Sequence, residues 1–136
     1  MRFEGKVVFI TGGGGYLGGE AAYQFAKEGA SIALCDLNET ALAAKVARIQ
    51  ALGAKVKGYV LDVTDSANVE ETVATVVREF GKIDISVHVA GGSARIVSPM
   101  SGSVLIYQKD HVIDRVLKVN LYGAMYVARA VGRYMV

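Results

Sequence analysis

Four consecutive glycines, Gly12 to Gly15, stand between an apolar run, Val7-Val8-Phe9-Ile10-Thr11, and an alanine-rich amphipathic segment beginning near Gly18. This junction reads as a strand, a tight turn and a helix. Glycine suits a turn whose backbone must take positive φ or approach a ligand with no room for a Cβ. The free N–H groups and positive dipole end of the following helix then face the turn, and a pyrophosphate is the anion that fits them. A glycine cluster alone is weak evidence, because any tight strand-to-helix turn in an α/β protein could use one.

The second strand adds weight. Ser31-Ile32-Ala33-Leu34-Cys35-Asp36 places a carboxylate at a strand tip roughly 20 residues past the turn, the spacing of a dinucleotide site. Asp36 there can accept both ribose hydroxyls of an adenosine and repels a 2′-phosphate. No Lys or Arg lies in the turn or directly after Asp36. NAD is therefore expected in preference to NADP. The competing reading makes Asp36 a turn residue or N-cap, with Asn38 sharing that task before a helix over 39–52.

Composition bounds the rest. With 136 residues, 52% hydrophobic and 21% charged, the chain is one domain with enough length for a core. The net charge of +2 arises from interspersed residues, which argues against nucleic acid as a partner. Membrane-spanning runs and a signal-peptide pattern are both lacking in the sequence, so the cytoplasm is the expected location. The single cysteine, Cys35, sits in an apolar strand and is expected to be inert packing. His88 and His111 are too far apart to suggest a metal.

The chain alternates strands over 6–10, 31–36, 55–61 and 83–89 with helices over 18–28, 39–52, 66–80 and 109–135, the last broken near Asn120. Val69, Val73, Val76, Val77 and Phe80 mark one helical face. Such alternation implies an α/β fold with a parallel sheet covered on both faces, and right-handed crossovers give the order 3-2-1-4.

These features together resemble the short-chain dehydrogenase/reductase family over the whole chain. The resemblance rests on Thr11-Gly12, Asp36, Asp62-Val63 after the third strand, Ala90-Gly91 after the fourth, and Val119-Asn120-Leu121. It implies a Rossmann-type doubly wound parallel sheet, truncated, with residues 1–136 as its NAD-binding portion. The cofactor-binding set it implies is Thr11, Gly12, Gly15, Tyr16, Leu17, Gly18, Asp36, Leu37, Asp62, Val63, Ala90, Gly91 and Val119. Asp62 and Val63 would hydrogen-bond and pack the adenine, and Ala90 and Gly91 would border the ribose. Asn120 would mark a helix break holding a water of the catalytic proton relay. Each has a plainer reading: Asp62, Thr64 and Asp65 as caps of the third helix, Ala90-Gly91 as an exit turn, Asn120 as a helix junction.

Some positions depart from the family pattern. Tyr16 stands where glycine is usual, and the spacing matches a Thr-Gly-x-x-Gly-x-x-Gly form in which Gly15 and Gly18 supply the close approaches. His88 replaces an asparagine and is expected to be a neutral core histidine bonded to a backbone carbonyl. The family's Ser, and its Tyr and Lys four residues apart, should follow Asn120, and the chain carries none of them there. Tyr23 and Lys27 have that spacing but lie on the helix leaving the glycine turn, where a packed tyrosine beside a snorkelling lysine is expected. Ser93, Ser98, Ser101 and Ser103 lie in a long, oddly apolar loop over 92–107, with Ile96, Val97, Met100, Val104, Leu105 and Ile106. It lines a substrate pocket or packs against further chain.

The expected function is an NAD(H)-dependent oxidoreductase acting on an alcohol or carbonyl substrate, with this segment binding the cofactor. The alternative is a non-catalytic nucleotide-binding or regulatory protein; a methyltransferase ranks third because Asp62-Val63 and Asn120 would then be coincidences. An open fourth-strand edge and a last-helix face of Leu121, Met125, Ala128 and Val131 would favour association. The family resemblance implies a homo-oligomer, dimer or tetramer.

Overall fold

A computed structural model describes residues 1–93 and 105–136. In chain order its elements are β1 (Val7–Thr11), α1 (Tyr16–Lys27), β2 (Ser31–Asp36), α2 (Glu39–Gln50), β3 (Val56–Val60), α3 (Ser66–Phe80), β4 (Ile85–His88), α4 (Asp110–Leu117) and α5 (Gly123–Met135). A short 3-10 turn, Leu105–Tyr107, precedes α4, and a π-helical turn, Lys118–Tyr122, joins α4 to α5. The four strands form one parallel sheet in the order β3-β2-β1-β4. This is the Rossmann-type arrangement, with two crossovers winding outward from β1 on one side and the chain returning to β4 on the other.

Parallel strands buried on both faces need apolar residues at consecutive positions, and all five residues of β1 are buried. Val8 and Ile10 point to one layer, where Ile32, Leu34, Ala22, Ala26, Leu42 and Ile49 meet them from β2, α1 and α2. Phe9, Ala33 and Cys35 point to the other, against Val69, Val73 and Val76 of α3 and Val127, Ala130 and Val131 of α5. The three α3 valines are fully buried, each stabilising the fold by about 1.5–3 kcal/mol.

Helix starts follow local chemistry. Asn38 accepts from the Ala41 N–H at 3.0 Å. At α3 the cap is Asp65, which accepts from Ala67 N and Asn68 N at 3.0 and 3.1 Å, and Gly81 ends the helix at φ +86°. α1 begins at Tyr16, two residues earlier than the sequence suggests, because Gly15 is extended and no side chain caps it.

Three expectations are corrected. Of the apolar face expected to lack cover, Leu121, Met125 and Ala128 are exposed; the departure is Val131, which α5 buries together with Gly123, Val127 and Ala130. The π-helical turn inserts an extra residue and rotates the following helix out of phase with a plain 3.6-residue count. His88 is half-buried rather than in the core and adds the Thr11 hydroxyl as a partner, as described below. Finally, Ile83 is buried but outside the strand; pairing of β4 starts at Ile85 opposite Val8. Most of the 92–107 loop, including Ile96, Val97, Ser98, Met100, Ser101, Ser103 and Val104, lies outside the described residues.

Candidate functional site

The carboxyl ends of all four strands open into one cleft of ≈ 490 Å³. Its walls contain Thr11, Gly12, Gly15, Tyr16, Leu17 and Gly18 from β1 and the turn into α1, and Asp36 and Leu37 after β2. Asp62 and Val63 line it after β3, Ala90 and Gly91 after β4, and Val119 at the π-helical turn. Every position named for a cofactor from the sequence thus borders one cavity, and Cys35, Leu61, Val89 and Arg115 complete it.

The turn is packed so tightly that two of its glycines have no substitute. Gly12 has φ +70°, and a Cβ there would sit 2.7 Å from Ala90 N. A Cβ on Gly18 would lie 2.2 Å from the Gly12 carbonyl oxygen. Gly15 is less constrained within the fold, with a nearest approach of 3.3 Å to that oxygen. Gly15 is extended before the first turn of α1, which leaves the helix N-terminus open beside the cleft. Tyr16 and Leu17 project from it, 80% and 70% exposed.

Asp36 is a turn residue that also lines the cleft. Its Oδ2 accepts from Gly14 N at 2.9 Å and its Oδ1 from Asn38 N at 2.8 Å, so it fastens the turn while remaining on the cleft wall. Asp62 accepts from both the amide and the hydroxyl of Thr64, at 2.9 and 2.6 Å. Burial pushes its carboxyl upward, but the Thr64 hydrogen bonds and the Arg115 charge outweigh this and hold it below the usual carboxylate range. Cys35 is fully buried, and desolvation pushes its thiol far up, which suits packing rather than chemistry.

The floor of the cleft is tied across β1 and β4. Thr11 Oγ1 accepts from Ala90 N at 3.3 Å and lies 3.0 Å from His88 Nδ1. A threonine hydroxyl has one proton to give. Given to Nδ1, it places the histidine proton on Nε2, which is buried and has no partner among the described residues. Desolvation lowers the His88 pKa, with a backbone hydrogen bond at Ala90 acting the other way.

Asn120 sits behind the cleft. Its Nδ2 donates to Gly92 O at 2.7 Å and to Val116 O at 2.9 Å, and its Oδ1 accepts from Gly92 N at 3.0 Å. The expected helix break is therefore a widened π turn whose asparagine fastens the chain leaving β4. Tyr23 packs in the α1–α2 layer under Arg48, 3.9 Å from its ring centroid, with Lys27 at 5.9 Å; this Tyr-Lys pair is absent from the cleft walls. His111 is exposed on α4, and among the described residues no three His, Cys, Asp or Glu are grouped to hold a metal ion.

The sequence profile for "short chain dehydrogenase" matches residues 6–136. The chain belongs to the short-chain dehydrogenase family. It is 36% identical over its entire length to 3-oxoacyl-[acyl-carrier-protein] reductase FabG of Thermotoga maritima, covering 52% of that protein. It is 33% identical over 99% of its length to D-threitol dehydrogenase of Mycolicibacterium smegmatis, covering 49% of it. Among solved structures, NAD+-bound xylitol dehydrogenase aligns with a TM-score of 0.84 at 37% identity, over 99% of this chain and 50% of that one. Hydroxysteroid dehydrogenase from Escherichia coli aligns with a TM-score of 0.88 at 28% identity, over 98% of this chain and 54% of that one. The chain thus spans about half the length of the relatives it matches. The family's nicotinamide cofactors fit the strand-end cleft, where the glycine turn leaves backbone exposed and no Cβ intervenes.

Arg115 is the functional candidate that sequence reasoning missed. It reaches the cleft through a contact with Thr64, 51 residues away in sequence, and no local motif signals it.

Proposed function

We propose that this chain is the cofactor-binding portion of an NAD(H)-dependent oxidoreductase that moves hydride between a nicotinamide and an alcohol or carbonyl substrate. The observation that carries the reading is the cleft: a helix N-terminus and glycine turn at one wall, with the Asp36 carboxylate beside them and, among the described residues, no basic side chain lining that end. The open N–H groups of α1 and the backbone of Gly15 to Gly18 hold the pyrophosphate. Asp36 and the adjacent Leu37 take the adenosine ribose, and the fixed negative charge disfavours a 2′-phosphate. Asp62 and Val63 receive the adenine, with Val119 opposite them. Thr11, Gly12, Ala90 and Gly91 form the floor on which the cofactor crosses from β2 toward β4.

When bound, the nicotinamide supplies the hydride chemistry. The protein's share is orientation and proton exchange at the substrate oxygen. Asn120 contributes by holding the widened turn and Gly92 in place, the position from which a relay water is held. The Ser, Tyr and Lys that exchange and orient the proton in the family have no counterpart in these 136 residues, so the segment binds cofactor without rapid turnover of its own. The same reading takes the protein as cytoplasmic and as a homo-oligomer, the latter supported by the β4 edge, which no other described strand covers, and by the exposed Leu121 and Met125.

The Asp36→Asn variant tests the assignment while keeping side-chain size. Removing the charge should raise the affinity for NADPH relative to NADH by roughly three- to tenfold. An unchanged ratio would remove Asp36 from the ribose site.

A further inference from the structure

The sheet register sets Thr11 between Cys35 of β2 and His88 of β4. The Thr11 oxygen accepts from Ala90 N at 3.3 Å, and His88 Nδ1, 3.0 Å away, is the acceptor for its proton among the described residues. With a neutral ring both capacities of the hydroxyl are used: it donates to the imidazole and accepts from the backbone that floors the cleft. Protonation reverses the first bond, because both ring nitrogens then carry protons and neither accepts. The hydroxyl proton loses its acceptor. The charge is shared by Nε2–H, which is buried with no partner among the described residues.

No charge near the ring offsets this. His88 borders a second cavity of ≈ 330 Å³ between β4 and α5, with Ser86, Val127, Val131 and Met135, and no other ionisable residue among those described lines it. Cys35 stays a thiol, since burial pushes it far up. Asp36 is turned to Gly14 and Asn38. On α5, Arg129 and Arg133 pair with Glu70 of α3, and Tyr126 lies beside Arg129. Asp84, with Lys6 and Lys82, stands before the first residue of β4, at the opposite end of the strand. A charged ring therefore has no reason to stay at Thr11 and has an open cavity to enter.

We propose that His88 is a positioning residue of the cleft floor: neutral, it holds Thr11 and through it Ala90 in place for a dinucleotide; protonated, it leaves Thr11 for the cavity beside α5, so cofactor binding weakens as pH falls. A shift at Ala90 is transmitted, because the Cβ position of Gly12 lies only 2.7 Å from Ala90 N and no gap separates the glycine turn from the β4 exit. The inference rests on the reading that Thr11, Gly12, Ala90 and Gly91 floor a dinucleotide site. Linkage makes it reciprocal: the cofactor must weaken proton binding at His88 by the factor by which the proton weakens cofactor binding.

The chain has two histidines, and His111 is exposed on α4, so imidazole signals in NMR give a probe and an internal control. Between pH 8 and pH 5, where NAD+ itself does not titrate, saturating NAD+ should move the His88 midpoint to lower pH and leave that of His111 in place. Calorimetry on the purified protein over the same range should show NAD+ affinity falling roughly two- to tenfold. His88→Asn, whose amide oxygen accepts the Thr11 proton at any pH, should lose this pH dependence. His88→Phe, which accepts nothing, should bind NAD+ more weakly than the parent at pH 8 and also show no fall. A His88 midpoint that NAD+ leaves in place, a parent affinity constant with pH, or a fall that persists in His88→Asn overturns the proposal while the cofactor reading stands. No NAD+ binding by the parent at pH 8 removes that reading and the inference with it. The NMR titration uses the unaltered protein, so it decides the matter even where a variant fails to fold.

Discussion

Replacing Gly18 with alanine adds a single methyl group at the most crowded point of the glycine turn. That carbon would lie 2.2 Å from the Gly12 oxygen, 2.7 Å from the Gly12 carbonyl carbon and 3.1 Å from Gly13 Cα. Ordinary contact begins near 3.4 Å, so turn and helix must separate by about 1 Å. Everything the methyl meets is backbone, and no rotamer change can relieve the clash. Overpacking of this type costs about 1–3 kcal/mol. For a chain of this size the melting temperature should fall by roughly 4–12 °C. The displaced turn also carries the pyrophosphate groups of the proposed site, so NADH affinity should fall in parallel. Gly132→Ala is the matched control: it lies within α5 and a Cβ there meets nothing within 4 Å. Its helix propensity should stabilise the fold by about 0.4–1 kcal/mol. Thermal melts followed by circular dichroism, with NADH titration of each variant, decide the matter. A Gly18→Ala protein that melts within a degree of the parent and binds NADH equally would refute the packing argument.

Asp65→Ala removes the acceptor of two N–H groups at the start of α3 and should lower stability by about 1 kcal/mol in urea unfolding, without altering cofactor selectivity. His88, whose pKa is lowered by burial, makes stability depend on pH in a stated direction. Because the unfolded imidazole takes up its proton first, near pH 6.5, the contribution is complete above that value and is lost as pH falls toward the depressed folded value. Urea midpoints measured between pH 8 and pH 5 should decline for the parent, and His88→Asn should flatten that part of the curve. Asp62, held below the usual carboxylate range, adds stability present above about pH 4 and lost as pH falls further. Asp62→Asn should accordingly reduce the acid sensitivity of unfolding in that lower range.

Much of the architecture was legible because it rests on local rules. Alternating apolar runs and amphipathic helices gave four strands and their order, and Asn38 and Asp65 announced two helix starts. The cleft was legible for a related reason: in a parallel sheet every strand delivers its next residue to the same edge, so Thr11, Asp36, Asp62 and Ala90 converge without any long-range information. What escaped depended on contacts between distant segments. Val131 was misplaced on the uncovered face of α5 because the π-helical turn at Lys118–Tyr122 shifts the phase of the helix. Arg115 was invisible because its partners are 51 and 53 residues away in sequence, and His88 because its partner, Thr11, lies on another strand.

The most direct measurement is a paired titration of the protein with NADH and NADPH, read by calorimetry at fixed salt. The account predicts saturable, one-site binding of NADH and an affinity for NADPH weaker by at least about tenfold, a difference of ~1.4 kcal/mol. Equal affinities, tighter NADPH binding, or no NADH binding would contradict the roles given to Asp36 and to the glycine turn.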